Sequence, residues 1–201
     1  MSSESANRRD ASALATRAAL LKSARAAFGS QGYAAVSLAQ IASDANATTG
    51  ALYHHFADKK ALFIAVAEEI EAELLASVVR TLPATGDLWA VVTFAVTETL
   101  ALAAQPGIAS VIFRDAPNVI GASAWREIEM RYGYGHLHAL LRNLAAAGRL
   151  GGHDPAIVAG MILGAWMQTA DATLASEYPA ETLRAGQTAM LALLSGFKSE
   201  P

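Results

Sequence analysis

The stretch SLAQIASDANATTGALYHHFADK, Ser37 to Lys59, decides how this chain is built, because it marks out two short helices with explicit local signals. Ser37 stands three residues ahead of Gln40, the Ser-x-x-Gln spacing of a capping box in which a hydroxyl satisfies an orphan amide of the first turn. A short helix is therefore predicted from Leu38 to near Asp44. Ala45-Asn46-Ala47 predicts a tight turn, since Asn is the non-glycine residue that most readily takes a left-handed conformation. Another helix is predicted over 48–55. Leu38, Ile41, Ala42, Ala45, Leu52 and Phe56 supply the apolar positions that lock the two short helices onto a neighbour.

That neighbour lies upstream. Leu20, Ala24, Ala27 and Phe28 fall at i, i+4, i+7 and i+8, which predicts a first helix over about 12–30, with Gly32 placed to end it. Residues 1–11 are Ser-rich and charged, lack the apolar run of a secretory signal, and are expected to form a flexible arm. Downstream, Asp58 is expected to cap a long fourth helix in which Leu62, Phe63, Val66, Ile70 and Leu74 recur at helical spacing. Further helices are predicted over 87–104, 107–115, 123–147, 155–176 and 180–197. The expected breaks are Pro106-Gly107, Pro117-Asn118, Gly148, Gly151-Gly152 and Pro179. With no strand alternation and no internal repeat, the expected fold is all-α with about nine helices. A three-helix N-terminal domain over 1–60 precedes a larger helical domain over 61–201.

Composition narrows the function. Apolar residues make up 53% of the chain and charged residues 16%, which suits a buried core and argues against disorder. Cysteine is absent, so disulfides, thiolate metal sites and cysteine nucleophiles are excluded. A cytoplasmic location is expected. Residues 88–104 are apolar apart from Thr93, Thr97, Glu98 and Thr99. A span needs about 20 residues, and a central carboxylate costs about 2.5–3.5 kcal/mol, so a core helix is expected and no membrane partner. The net charge is −3, yet residues 1–60 hold seven Lys and Arg against four acids, leaving the rest at −6. A basic head on an acidic body suits a protein that meets phosphate with one end only.

Within Ser37 to Phe63, the pairs Ile41-Ala42, Leu52-Tyr53 and His55-Phe56, with Lys59 and Leu62, resemble the DNA-binding signature of the TetR family at its spacing. The resemblance covers about the first third of the chain. The segment from Pro117 to Leu144, with Trp125-Arg126-Glu127 and Arg131-Tyr132-Gly133, is similar, much less specifically, to ligand-binding domains of some family members. At the turn this chain has Ala45-Asn46-Ala47 where the family often has Ala-Gly-Val. The resemblance implies a helix-turn-helix transcriptional regulator followed by a ligand-binding and dimerisation domain. A homodimer is expected to bind a palindromic double-stranded DNA operator as a repressor, released by a small, largely apolar effector. The alternatives are a helical protein-interaction module and an activating family member. No Ser/His/Asp arrangement, glutamate-histidine metal motif or phosphate-cradling glycine loop is visible, so neither enzymatic activity nor a cofactor is expected.

A recognition helix enters the major groove by its N-terminal part, where short residues let the backbone approach. Thr48, Thr49 and Gly50 fit that need, with Thr49 the first choice for a base contact. The resemblance implies that Tyr53 and His55 bond phosphate oxygens and that His54 faces a base or the backbone. Lys59 and Ser37, each at a helix start, are further phosphate candidates. Adjacent His54 and His55 point about 100° apart, and His136 and His138 are poorly spaced, so no metal site is expected. Candidate effector-pocket residues are Trp89, Phe94, Phe113, Trp125, Tyr132, His136, Trp166 and Met167, with Gln168 and Asp171 as polar groups on an otherwise apolar helix. By family analogy the last two long helices pair in the dimer, through Gly160 and Gly164 on one and Ala189, Leu193 and Phe197 on the other.

Overall fold

The computed structural model describes residues 2–83 and 87–199, with side chains from residue 11 onward. Every regular element among them is helical: α1 (Ser2–Gln31), α2 (Leu38–Asp44), α3 (Thr49–His55), α4 (Lys59–Thr81), α5 (Leu88–Ala103) and α6 (Pro106–Ala109). A π-helical segment (Ser110–Asp115) carries α6 into α7 (Ala116–Ile120), and α8 (Ala122–Glu129), α9 (Gly133–Ala146), α10 (Pro155–Ala175) and α11 (Pro179–Gly196) follow.

The head forms as its sequence dictates. Leu20, Leu21, Ala24, Ala27 and Phe28 are buried along one face of α1, and Gly32 ends that helix with φ at +80°. Ile41 and Leu52 are fully buried against it, which fixes α2 and α3 as a pair. The Ser23 hydroxyl donates to the Ile41 carbonyl at 3.0 Å and ties α1 to α2. Helix α4 leaves the head and becomes the spine of the body, burying Leu62, Phe63, Val66, Ala67 and Ile70. One contiguous core runs from Leu20 to Phe197, with α5 packed among α4, α9, α10 and α11.

Three expectations need correction. Helix α1 begins at Ser2, so the segment expected as a flexible arm over 1–11 has helical backbone from residue 2. Pro117 does not break the chain. It follows directly on the π-helical segment as the second residue of α7, inside one continuous helical run, and the break falls at Gly121 with φ at +100°. The single helix expected over 123–147 is two, α8 and α9, parted at Met130 to Tyr132. A Cβ on Gly135 would lie 2.0 Å from the Met130 carbonyl oxygen, so the chain doubles back through space that only glycine leaves open. Where about nine helices are expected, the described residues form eleven α-helical segments and one π-helical one.

Candidate nucleic-acid interface and internal cavity

Three helix starts shape the exposed end of the head. The Ser37 hydroxyl accepts from the Gln40 amide at 3.2 Å, but the Gln40 side chain donates to Asp44 Oδ1 at 2.7 Å, so only half of the expected capping box forms. Asn46 takes the turn with φ at +52°. Thr48 caps α3 by accepting from the Ala51 amide at 3.1 Å, and Asp58 caps α4 by accepting from the Ala61 amide at 2.7 Å. Because Leu52 anchors the inner side of α3, Thr49, Gly50, Tyr53 and His54 are left exposed on its outer side, with His55 half-buried. Tyr53 keeps 57% of its surface, which is far from a core residue and leaves its hydroxyl free to reach phosphate. The Lys59 ammonium lies 4.4 Å above the Tyr33 ring and 3.5 Å from the Ala34 carbonyl. These contacts hold it at the edge of the same end.

The body encloses a cavity of about 250 Å³ between α4, α5, the π-helical segment, α9 and α10. Leu74 and Val78, Val96 and Thr99, Ile112 and Phe113, Leu137 and Leu140, and Leu163 and Trp166 contribute to its wall from five elements. Phe113, His136 and Trp166 line it as expected from sequence. The other candidates do not. Trp89 is buried elsewhere, its indole N–H donating to the Arg149 carbonyl at 3.0 Å. Trp125 is buried on α8, and Phe94, Tyr132 and Met167 are half-buried outside the wall. Gln168 and Asp171 are exposed. At 3.6 residues per turn they stand roughly 200° and 140° around α10 from Trp166, on its outer side.

Among the lining residues that the sequence reading does not single out are two carboxylates. Glu71 of α4 and Glu129 of α8 both face the cavity, and both are buried. Burial, reinforced by the Glu129 carboxylate, pushes the Glu71 carboxyl up to about 8. Burial also pushes Glu129 up, to about 6, against the opposing pull of the Arg126 guanidinium 3.3 Å away. The signal in the sequence is that Glu71 continues the Phe63-Ala67 row at i+4 and precedes Leu74 by three, which sets a carboxylate on an apolar stripe.

On the outer side of α10 and α11, Gly160, Gly164 and Ala189 are exposed and Leu193 is half-buried. Phe197 is not available to a partner. It is buried with its ring centroid 5.4 Å from that of His153, so the C-terminal turn packs into its own subunit. Ile157, Met161 and Leu191 are large apolar residues left 65%, 50% and 46% exposed on the same two helices.

Head and body meet through close contacts at the end of α1. The Ser110 hydroxyl donates to the Gly29 carbonyl at 3.0 Å, the Tyr33 amide donates to Asp115 Oδ2 at 2.7 Å, and the Lys60 ammonium donates to the Ile120 carbonyl at 3.4 Å. Arg25 of α1 pairs with Glu73 of α4 at 2.5 Å.

A helix-turn-helix head, mounted by one continuous helix on a cavity-bearing helical body, defines the class: a DNA-binding regulator. Residues 20–66 match the model of the bacterial regulatory proteins, tetR family, and residues 89–197 match that of the tetracyclin repressor-like, C-terminal domain. A TetR-family transcriptional regulator from Pectobacterium atrosepticum is 32% identical, with a TM-score of 0.74 over 95% of this chain and 98% of that one. The transposon Tn10 TetC protein of Escherichia coli is 25% identical over 167 residues, 83% of this chain and 84% of that protein. FadR from Bacillus subtilis, solved in complex with stearoyl-CoA, shares the fold at 17% identity, with a TM-score of 0.76 over 89% of this chain and 97% of that one. The chain belongs to the TetR family of bacterial transcriptional regulators, which are DNA-binding proteins and not enzymes.

Proposed function

We propose that the protein is a ligand-responsive repressor, working in the cytoplasm as a homodimer that leaves a palindromic operator when a small, largely apolar effector fills the cavity. The observation that carries this reading is the course of α4. It holds Lys59 at the DNA-facing end and Glu71, Leu74 and Val78 in the cavity wall. Twelve residues separate Lys59 from Glu71, about 18 Å of rigid helix. The π-helical segment is a second strut, since Ile112 and Phe113 line the cavity while Ser110 and Asp115 grip the end of α1. A ligand that prefers one setting of these struts shifts the spacing of two heads that must meet major grooves about 34–36 Å apart.

Thr49 and Gly50 are assigned to the bases, with Thr48, Tyr53, His54, His55, Lys59 and Ser37 around them at bases or phosphates. Dimerisation is assigned to the outer sides of α10 and α11. Helix α10 is long and apolar enough on composition alone to cross a membrane, with 39% of its apolar window buried. Its exposed apolar row is the surface that a second subunit would cover, and Gly160 and Gly164 would let the two helices approach closely.

Band shifts with the protein's own upstream DNA test the reading. Salt-sensitive, sequence-selective binding is expected, and its absence overturns the proposal. Hits from a thermal-shift screen of small molecules should lower operator affinity, and Ala95→Trp, which fills the cavity, should abolish both effects. Reporter transcription that falls when a hit is added would favour an activator.

A further inference from the structure

The cavity wall is mainly apolar, with Thr99 and Asn143 as its neutral hydroxyl and amide groups apart from tyrosine. Its charged or titratable groups are Glu71, Glu129, Tyr134 and, at the exposed rim, His136, and it contains no Lys or Arg. Glu129 has an ion-pair partner in Arg126, whose guanidinium also lies 4.6 Å from the Tyr134 ring centroid. Glu71 differs. It keeps 9% of its surface, and no described residue gives its carboxylate a hydrogen bond or an ion pair. Yet every fully enclosed side-chain oxygen or nitrogen among the described residues has a partner. The Glu71 oxygens therefore keep some accessible surface, and the residue lines the cavity.

An unpartnered carboxyl in an apolar cavity is costly, and the cost is removed by a donor brought from outside. A second carboxylate nearby sharpens the choice of donor. It repels an anionic ligand and favours a cation, which interacts with both groups at once. Arg126, the cation paired with Glu129, also lies over the Tyr134 ring and is not part of the cavity wall.

We infer that the effector is a lipophilic amine, whose apolar body fills the space between α4, α5 and α10 while its ammonium group donates to Glu71 with Glu129 beside it. This rests on the ligand-responsive reading and specifies its ligand class. The volume holds on the order of a dozen non-hydrogen atoms at interior packing density. Glu71 also sits on α4, so the polar contact is made directly to the helix that carries Lys59. Because Glu71 is protonated near neutral pH, seating an ammonium group there releases a proton to solvent.

The test is calorimetry on the full chain with three probes sharing one apolar body: 4-phenylbutylamine, 4-phenylbutanol and 4-phenylbutyrate. The amine is expected to bind about tenfold more tightly than the alcohol, with the carboxylate weakest. Titrations in buffers of different ionisation enthalpy should show net proton release on amine binding at pH 7. Glu71→Gln should remove both the preference and the proton release with helicity by circular dichroism unchanged, and Glu129→Gln should reduce the preference. Equal binding of amine and alcohol, or a preference that survives Glu71→Gln, overturns the amine assignment and leaves a ligand-responsive regulator standing. Failure of all three probes to bind a protein that still shifts operator DNA overturns the cavity as an effector site of this size.

Discussion

Gly29 and Gly107 bring the backbones of α1 and α6 into direct contact: a Cβ on Gly29 would fall 2.9 Å from the Gly107 carbonyl oxygen and 3.0 Å from its Cα. The relationship is asymmetric, since a Cβ on Gly107 would meet only the Gly29 Cα, at 4.0 Å. Gly29→Ala must therefore push two backbones apart, and overpacking of this kind costs about 1–3 kcal/mol. Gly107→Ala should be tolerated. Thermal unfolding of the two variants checks this, and equal stability would contradict the close approach. Because this contact seats the head on the body, Gly29→Ala should also weaken operator binding more than its stability loss explains.

The residues proposed to face DNA should separate into positioning and reading groups. Lys59→Ala should weaken binding to every sequence and lower the slope of log affinity against log salt by about 1. A change at Thr49 should instead alter preference at one base pair. Thr48→Ala removes the α3 cap seen at the Ala51 amide and should cost about 0.5–2 kcal/mol of stability as well as affinity. Uniform losses from both the Lys59 and Thr49 variants in a selection from random DNA would contradict the assignment.

Stability should fall as pH rises from acid to mildly alkaline. Burial raises the folded-state values of Glu71, from 4.5 to about 8, and of Glu129, from 4.5 to about 6. Across that window the folded chain holds protons that the unfolded chain has lost, so each pH step favours unfolding. The loss should start near pH 4.5, steepen while both groups titrate, and level off above pH 8. Its size is on the order of a few kcal/mol. Tyr134 and His136 also line the cavity, and Arg126 pairs with Glu129 beside it, so the assignment needs Glu71→Gln. That variant should flatten the profile between pH 6 and 8 and be more stable than the parent at pH 8.5. An unchanged profile would show that Glu71 is not the group responsible.

Ile157 and Leu191 offer a test of the proposed dimer. Ile157→Asp with Leu191→Asp places charge on exposed apolar positions whose loss leaves the subunit core intact. Sedimentation should show a monomer with unchanged helicity, and operator affinity should collapse because each monomer has a single head. A dimer that persists would place the interface elsewhere.

The head was legible in the sequence because its signals are local. Ser37, Asn46 and Asp58 each act within three residues of themselves, and the structure has each at its expected cap or turn. The body was less legible because its decisive features depend on which side of a helix faces which neighbour. Gln168 and Asp171 were read as pocket groups for being polar on an apolar helix, but α10 has two apolar sides, and they share the outer one with Met161 and Gly164. Glu71 passed unnoticed among Glu68, Glu69 and Glu73, which look like one solvated face until the helix is placed in three dimensions. The break between α8 and α9 carries no proline, and its cause, the Gly135 approach to Met130, is a tertiary contact.

Asp115 joins the cavity to the head, and its removal should uncouple them. Its carboxylate accepts from the Tyr33 amide at 2.7 Å, while Phe113, two residues earlier on the same π-helical segment, lines the cavity. π-Helical turns of this kind often mark functional positions, because the extra residue leaves the helix with alternative registers. Asp115→Ala deletes the acceptor and leaves the cavity wall in place. Operator and effector should then each bind close to normally when measured alone. The factor by which one weakens the other should shrink, from the 5–150-fold common for such coupling (about 1–3 kcal/mol) toward one. Linkage adds an internal check, since the factor must be the same whether effector is titrated against the operator complex or operator against the effector complex. Asp115→Asn keeps an acceptor oxygen for Tyr33 and should restore most of the coupling. If Asp115→Ala leaves the factor unchanged, α4 alone carries the signal.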